Sequence, residues 1–600
     1  MRTNDRMVNN KTTNGVAKSK LSLSAVAMAF ALVGVSGCQQ TDANEAGSFT
    51  PSASSSQYTL YTNGNIYTVN PKQPWAEALV IKDGIIEYVG DTDSAHSYVA
   101  NIDKVNIKKV INLKGKMVML GFHDVHIHPL ESGSDNTHFT LDTEETNAEK
   151  YISVIKNAAR RNPNSEWLIG YGHDINTLLE AKRNPLAILD DAVSDRPVII
   201  MEQTSHSMWV NSKALELAGM NVNTPNPVGG VIMKDEDNQL MGILIDNAGN
   251  IAMELAMTPT PAKNEKDYYG LTDFVLPELA KHGITSIADA RTYWKRGEHK
   301  TWQRLAQEDK LTARVVLGLW AYPEETDVDQ LATLKSLYQN DPESLLRINQ
   351  IKLYSDGILI NTTASMHDPY EFDMLGVPEE SHGNRGINYF TQNRLSRYIA
   401  ELDAVGFDFH IHAIGERGIH EALNAVEESA GGQSRHRLTH VEVVDPADYK
   451  RFAELNVTAD CQVAGDFTDP SHWGEVAEYI GKEKAHDLVP IKSLQQAGAR
   501  VTLSSDWSVS PYNPFIGLQN AVTRAPQELT LEQAIASYTI NGAYVMRQEN
   551  RVGTLEEGKE ADLVVLDQNL FEIDPYEISQ TQILQTLLAG EEVYRAKGFR

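Results

Sequence analysis

Beyond residue 57 the chain sets short apolar runs between clusters of turn-forming residues, the pattern of β-strands. Thr59-Leu-Tyr-Thr and Ile66-Tyr-Thr-Val flank a turn at Asn63-Gly64-Asn65. Ala78-Leu-Val-Ile and Ile85-Ile-Glu-Tyr-Val flank another at Lys82-Asp83-Gly84. Val110-Ile-Asn-Leu then leads into Lys114-Gly115-Lys116, so residues 57–116 read as a small β module with no helix of its own. At the other end, Ala561-Asp-Leu-Val-Val-Leu566 and Glu591-Glu-Val-Tyr-Arg595 continue the strand pattern over 553–600. Chain termini commonly lie close together, so the two ends are expected to complete one sheet between them.

The middle of the chain alternates short apolar strands with helical stretches, which points to a parallel sheet. Strand candidates fall at 117–126, 284–290, 314–319, 348–355, 407–412, 437–442, 457–463 and 501–505. Eight is the number that closes a (β/α)8 TIM barrel, an α/β fold placed here over residues 117–552. The count holds only if residues from about 130 to 280 are an insertion after the first barrel strand. That segment carries its own strand candidates at 167–171 and 197–202, and a hairpin of 229–233 with 240–244. An insertion at that point is expected to roof the carboxyl end of the barrel, where this fold places its active sites.

The first 56 residues depart from this pattern. A polar segment ending in Lys18 and Lys20 precedes the apolar run Leu21–Gly34, too short to span a bilayer comfortably, and small residues follow. This describes a secretory signal peptide over 1–37. Its end, Val35-Ser36-Gly37-Cys38, resembles a bacterial lipobox, which implies cleavage before Cys38 and acylation of its thiol. Residues 38–56 hold little that could form a core and read as a flexible tether. The protein is therefore expected to be exported and lipid-anchored, at the outer membrane on its periplasmic or surface side.

Composition changes the picture less. The 600 residues are 41% hydrophobic and 22% charged, values of a globular chain. The formal net charge of −28 becomes −32 once residues 1–37 are removed, leaving 48 basic and 80 acidic residues. Such a chain lacks a basic surface for phosphate backbones, so nucleic acid is excluded as a partner, and membrane contact is expected through the anchor alone. A homo-oligomer stays open. Beyond Cys38 only Cys461 remains, a thiol without a partner.

Chemistry gathers at the strand ends. Gly121-Phe-His-Asp-Val-His126-Ile-His128-Pro closes the first barrel strand, and alternation points positions 126 and 128 to one side. Two neutral imidazoles a few ångströms apart suit Zn²⁺ or a similar divalent ion. An isolated His-x-His is weak, but other strands bring matching groups. His440 ends the sixth strand and Asp506 follows the eighth. On the fifth, His410 and His412 share a side and either can serve, with His412 nearer the carboxyl end. Lys352 lies in the apolar fourth strand, where a lysine is expensive to bury unless paired or modified.

Together these motifs resemble the amidohydrolase superfamily, and within it the amidohydrolase-3 (YtcJ-like) group, from about residue 57 to the C-terminus. Further matching segments are Ile351-Lys-Leu-Tyr-Ser-Asp-Gly357, His410-Ile-His-Ala-Ile-Gly415, Gly558-Lys-Glu-Ala-Asp-Leu-Val-Val-Leu566, and Ser205-His206 with Trp209-Val-Asn-Ser-Lys-Ala-Leu215. The resemblance implies a distorted TIM barrel with a composite β-sandwich, and metal ligands at His126, His128, His412 and His440. It makes Asp506 both ligand and general base. Lys352 matches the lysine that two-metal members carboxylate to bridge their ions; unmodified, it could instead pair with Asp356 or orient substrate. One or two ions, zinc by preference, follow from this. The chain departs from the group at Gly415-Glu-Arg-Gly418, where Gly-Asp-Arg-Ala is common. It departs again at Ile358-Leu-Ile-Asn-Thr-Thr-Ala364, where the usual Ser-Leu-Gly-Ser-Arg-Thr-Ala has an arginine.

The expected activity is metal-dependent hydrolysis of a non-peptide C–N bond in a small N-substituted amide, formamide or cyclic amide. Ester or lactone hydrolysis, or deamination, is the alternative with the same residues, and a lipid-anchored binding protein on an inactive barrel is a remote one. Asp506, Lys352 and His206 are the candidate catalytic residues. His206, on the insertion, is read as an oxyanion or substrate contact, with a structural role under the roof equally open. Trp209 and Tyr370 are candidate substrate contacts and Tyr171 and His173 candidate pocket walls, with packing or surface as the default for all four. For Asp246 and Asp289 the default is solvated surface.

Overall fold

The structure is a computed structural model that describes residues 57–599 except 103–105, 135, 377–381, 430 and 466–468. The leader over 1–37, the tether over 38–56 and Cys38 lie outside the described residues.

Strands Phe122–Ile127 (β1), Ile284–Thr292 (β2), Arg314–Trp320 (β3), Leu346–Tyr354 (β4), Asp408–Ala413 (β5), Arg437–His440 (β6), Thr458–Cys461 (β7) and Arg500–Leu503 (β8) form one eight-stranded sheet in chain order. Every adjacent pair is parallel. The connecting helices lay one apolar stripe on the strands; Glu416–Ser429 buries Ile419, Ala422, Leu423 and Val426, the i, i+3, i+4, i+7 spacing of a single face. Closure of the barrel comes just past the strand ends. Asp506 N donates to His126 O at 2.8 Å and His128 N donates to Trp507 O at 2.9 Å, so candidate site residues themselves stitch β8 to β1. The chain is thus a (β/α)8 barrel with additional β structure.

The predicted strand over 117–126 divides in two. Met117–Leu120 belongs to a different sheet, between Asn65–Tyr67 and Leu563–Leu566, and β1 starts only at Phe122. Gly121 stands at the change of sheet, where a Cβ would come within 2.3 Å of Thr285 Oγ1. Both chain ends meet in this sheet, which continues through Ile583–Leu588 and Glu591–Arg595. The second sheet of the sandwich, Ile85–Gly90, Ala78–Lys82, Gln57–Thr62 and Asn106–Asn112, is built from the N-terminal side alone. The module also carries a helix that the strand pattern hid, Thr92–Ala100. Asp91 caps it, and only Ala95 and Val99, one turn apart, are buried.

Between β1 and β2 the chain builds a six-stranded sheet of its own: Phe139–Thr140, Leu168–His173, Val198–Glu202, Ser207–Val210, Leu240–Asp246 and Gly230–Lys234. The expected strands and hairpin are present, and the sheet's loops reach the carboxyl end of the barrel.

Candidate active site

Alternation along β1 turns His126 inward, and His128 follows as the first residue past the strand. Both present Nε2 to one oxygen of Asp506, Oδ1, at 3.1 Å and 2.9 Å respectively. His440 ends β6 with Nδ1 4.0 Å from Asp506 Oδ2. The ligand-type atoms of His126, His440 and Asp506 lie within 4.8 Å of one another. His412 continues the row, its ring centroid 4.4 Å from that of His440. Two of these side chains rest on left-handed backbone, with φ of 75° at His440 and 55° at Asp506. Such conformations cost of order 1–3 kcal/mol and persist only where surroundings impose them.

Burial dominates the electrostatics. It pushes His126 and His412 well below the ordinary imidazole range, lowers His128, and takes His440 down to about 3. Neutral imidazoles with lone pairs are what a metal needs. Burial also opposes the charge of Asp506, but its close contacts with the rings of His126 and His128 outweigh that and hold the carboxyl well below its usual range. Lys352 is fully buried, and burial depresses its ammonium strongly, which favours the free amine.

The donor set fits a divalent cation on an observation separate from composition. Lys352 Nζ and His412 Nδ1 are buried with no hydrogen-bond partner, an expensive state for groups that water would otherwise solvate. Pairing of Lys352 with Asp356 is overturned. Asp356 is taken up by the backbone N–H groups of Ser365, Ile414 and Gly415 at 2.8, 3.0 and 2.8 Å.

The choice between His410 and His412 turns on occupancy. His410 has both ring nitrogens engaged, with Nε2 2.9 Å from His126 Nδ1 and Nδ1 receiving Arg437 Nη2 at 2.7 Å. His412 spends only Nε2, on Gly357 O at 3.0 Å. A second group, His126, His410 and Asp460, also brings ligand-type atoms within 4.8 Å. There, however, Asp460 accepts from Thr439, Thr502, Ser504 and Gln462, so it reads as a layer supporting His126 from below.

From the roof, His206 stacks on Tyr354 at 5.5 Å and lies 5.4 Å from His412. Trp209 does not reach the site. It is fully buried in the core of the insertion, with Nε1 on Pro185 O at 3.1 Å and its ring beside Tyr151 and His173. His173 is enclosed there too, 3.3 Å from Ser207 Oγ. Tyr370 gives its hydroxyl to Ala364 O at 2.8 Å and lines a separate cleft of about 260 Å³ with Lys482 and Lys484. Tyr171 gives its hydroxyl to Gln203 O at 2.9 Å. Asp246 and Asp289 are buried rather than solvated: Asp289 accepts from Trp302 Nε1 at 2.8 Å, and Asp246 holds His206.

Sequence reading passed over Tyr354 and Arg291. Tyr354 stacks on His412 at 4.1 Å, and Arg291 bridges its hydroxyl, at 2.8 Å, to Glu131. Tyr354 stands two residues past Lys352, so alternation alone marks it as inward-facing. Arg291 and Glu131 carry no comparable signal.

The profile of the amidohydrolase family matches residues 109–594. YtcJ of Bacillus subtilis is 28% identical over 562 residues, 89% of this chain and 99% of its own length. The N-substituted formamide deformylase of Arthrobacter pascens is 25% identical over 556 residues, 90% of this chain and 98% of its own. Among solved structures, a metal-dependent hydrolase of Pyrococcus horikoshii superposes with a TM-score of 0.67 at 25% identity, covering 86% of this chain and 99% of that one.

Proposed function

This chain belongs to the amidohydrolase family and is a metal-dependent hydrolase that uses a divalent cation, and on that premise we propose that it cleaves the C–N bond of a small N-substituted amide, formamide or cyclic amide. The proposed ligands are His126, His128, His412, His440 and Asp506, with zinc as the cation and a second ion if Lys352 is carboxylated. The chemistry a divalent ion supplies in such a setting is Lewis acidity, which lowers the pKa of water from about 16 toward 7 and polarises a carbonyl.

The carrying observation is the divided duty of Asp506. Oδ1 faces two imidazole nitrogens, whereas Oδ2 stands 4.0 Å from His440 and is free for a proton. Oδ2 takes a proton from the attacking water as the C–O bond forms. It returns that proton to the nitrogen as the C–N bond breaks, so an amine leaves uncharged. Burial of Lys352 favours its free amine, the form that reacts with carbon dioxide. His206 approaches from the roof as the contact for the substrate carbonyl. The printed activity of the Arthrobacter pascens relative supports a formamide-type substrate.

A screen of N-formyl, N-acyl and cyclic amides against metal-loaded protein tests the substrate class. Within it, Asp506→Asn is expected to abolish turnover while elemental analysis still finds metal. Turnover at the parental rate in that variant overturns the assignment. Mass and metal stoichiometry of the purified chain decide Lys352, since one ion per chain argues against a carbamate bridge.

A further inference from the structure

Asp246 occupies the N-cap of the helix Asn247–Ala256, a position where aspartate ordinarily bonds the first turn, yet its side chain makes no capping bond. The carboxylate is turned the other way. Its Oδ1 lies 2.6 Å from His206 Nδ1, and Asp246 N also donates to His206 O at 2.8 Å. Imposed backbone lies at one member of the pair and just before the other. Asp246 has φ 53° and ψ −125°, a region otherwise left to glycine, and Ser205, just before His206, has φ 64°. A forgone cap and two strained positions side by side are costly unless the side-chain pair they create is needed.

The pair is also registered to the barrel. Gly357, in the loop after β4, accepts from His412 Nε2 through its carbonyl at 3.0 Å. A Cβ on Gly357 would come within 2.7 Å of Asp246 Oδ2, so this glycine both orients His412 and makes room for the carboxylate. Stacking of His206 on Tyr354, with ring planes 18° apart, fixes the remaining torsion. With Nδ1 committed to Asp246, Nε2 is the atom left facing the imidazole row. That row runs His128, His126, His440, His412, His206, with ring centroids 5.1, 4.9, 4.4 and 5.4 Å apart in turn. Asp246 holds the His206 end of the row, and Asp506 lies along His128, His126 and His440.

We propose that Asp246 is a positioning residue that holds His206 through Nδ1 and so fixes its orientation, aiming Nε2 at the scissile group of the substrate from the roof of the site. The inference rests on the amide-hydrolase reading for its substrate, but the His206–Asp246 pair exists independently of it. A side chain held in place at the reacting group acts on the transition state, so its loss falls on kcat.

Two readouts test this on the full, metal-loaded chain. The first needs no substrate: a proton shared over a short Nδ1–carboxylate contact gives a proton resonance far downfield of the amide envelope. That resonance is expected in the parent and lost in both Asp246→Asn and His206→Gln. The second uses the fastest-cleaved N-formyl amine of the screen. There His206→Gln is expected to lower kcat about 100-fold or more, the scale of misplacing one group at the reacting centre. Asp246→Asn is expected to lower kcat about 10- to 100-fold with KM nearly unchanged, metal content intact and partial rescue by Asp246→Glu. The double variant should be no slower than His206→Gln alone, because the carboxylate acts only through the imidazole.

A double variant slowed by the product of the two single effects overturns the proposal. So does an Asp246→Asn chain that loses thermal stability but keeps kcat, or one that keeps the downfield resonance. If the parent shows the resonance but cleaves no amide, the substrate reading fails while the pair stands.

Discussion

His123 and His126 lie three residues apart on β1 and meet opposite fates. His126 turns inward and finds Asp506, Thr439 and His410, whereas His123 faces the helix Ile540–Val545, with Gly542 against its Cβ and neither ring nitrogen bonded. Burial drives the His123 ring down to about 3, so the folded chain holds it neutral while the unfolded chain protonates near pH 6.5. Its folded value is depressed, so its contribution to stability is complete above pH 6.5 and is lost as pH falls from there toward 3. Replacing it by an apolar residue of similar size removes two unsatisfied nitrogens and this acid liability together. His123→Leu is therefore expected to gain on the parent as pH is lowered from 6.5 to 4.5, by up to about 1.4 kcal/mol per pH unit. Denaturant midpoints across that range check it, and a pH-independent difference refutes it. His126 and His123 are the same residue type on one strand, and alternation correctly told which faced inward. It could not tell that Asp246, which reads as surface, would close onto His206.

Elements matter here mainly where they change partners. The apolar run from Met117 to Leu120 and the motif from Phe122 look continuous in sequence, yet they serve two sheets. Gly121 decides the break, since no side chain fits there beside Thr285. A second junction is ionic. Arg314, at the amino end of β3, places Nε 2.7 Å from Asp562 Oδ2 and Nη2 3.1 Å from Oδ1, and both residues are buried. This bidentate contact ties the C-terminal sheet to the barrel floor. Glu560 also reaches Arg314, so Asp562→Ala leaves the buried guanidinium with one carboxylate instead of two and Ala589 N–H without its acceptor, at an expected cost of about 2–3 kcal/mol. Breaking the exposed Lys213–Glu216 pair by Lys213→Ala is expected to leave the denaturation curve nearly unmoved, because solvent screens it. Equal shifts in the two denaturation curves would remove the junction from the account.

At the scale of the whole molecule, the roof closes over the carboxyl end of the barrel while the sandwich is tied to its floor, and what lies before residue 57 bears on where the protein works. Among the described residues no helix is long and apolar enough to cross a membrane. The proposed anchor at Cys38 therefore has a simple check. Expressed in a Gram-negative host, the parent is expected in the membrane fraction and Cys38→Ser outside it; an unchanged distribution refutes acylation.

What the sequence determined by itself was whatever depends on short range. Strand and helix periodicity follow from local geometry, so the eight barrel strands and the strands of the insertion were legible with small errors at their ends. The inward set His126, His128, Lys352, His412 and His440 was legible for the same reason, because each stands at or near a strand's carboxyl end. Tertiary structure alone decided three things. It withdrew Trp209 and Tyr370 from the site, since an aromatic on an inserted sheet packs wherever that sheet closes its own core. It engaged both nitrogens of His410 and left His412, already preferred as nearer the carboxyl end, with a nitrogen to spare. It also brought Asp246 to His206 and Arg291 to Tyr354 and Glu131, pairings set by how the roof and the loop at Gly357 meet. Contacts between segments so far apart along the chain leave no periodic trace in it, and they exist only once the barrel has closed beneath its roof.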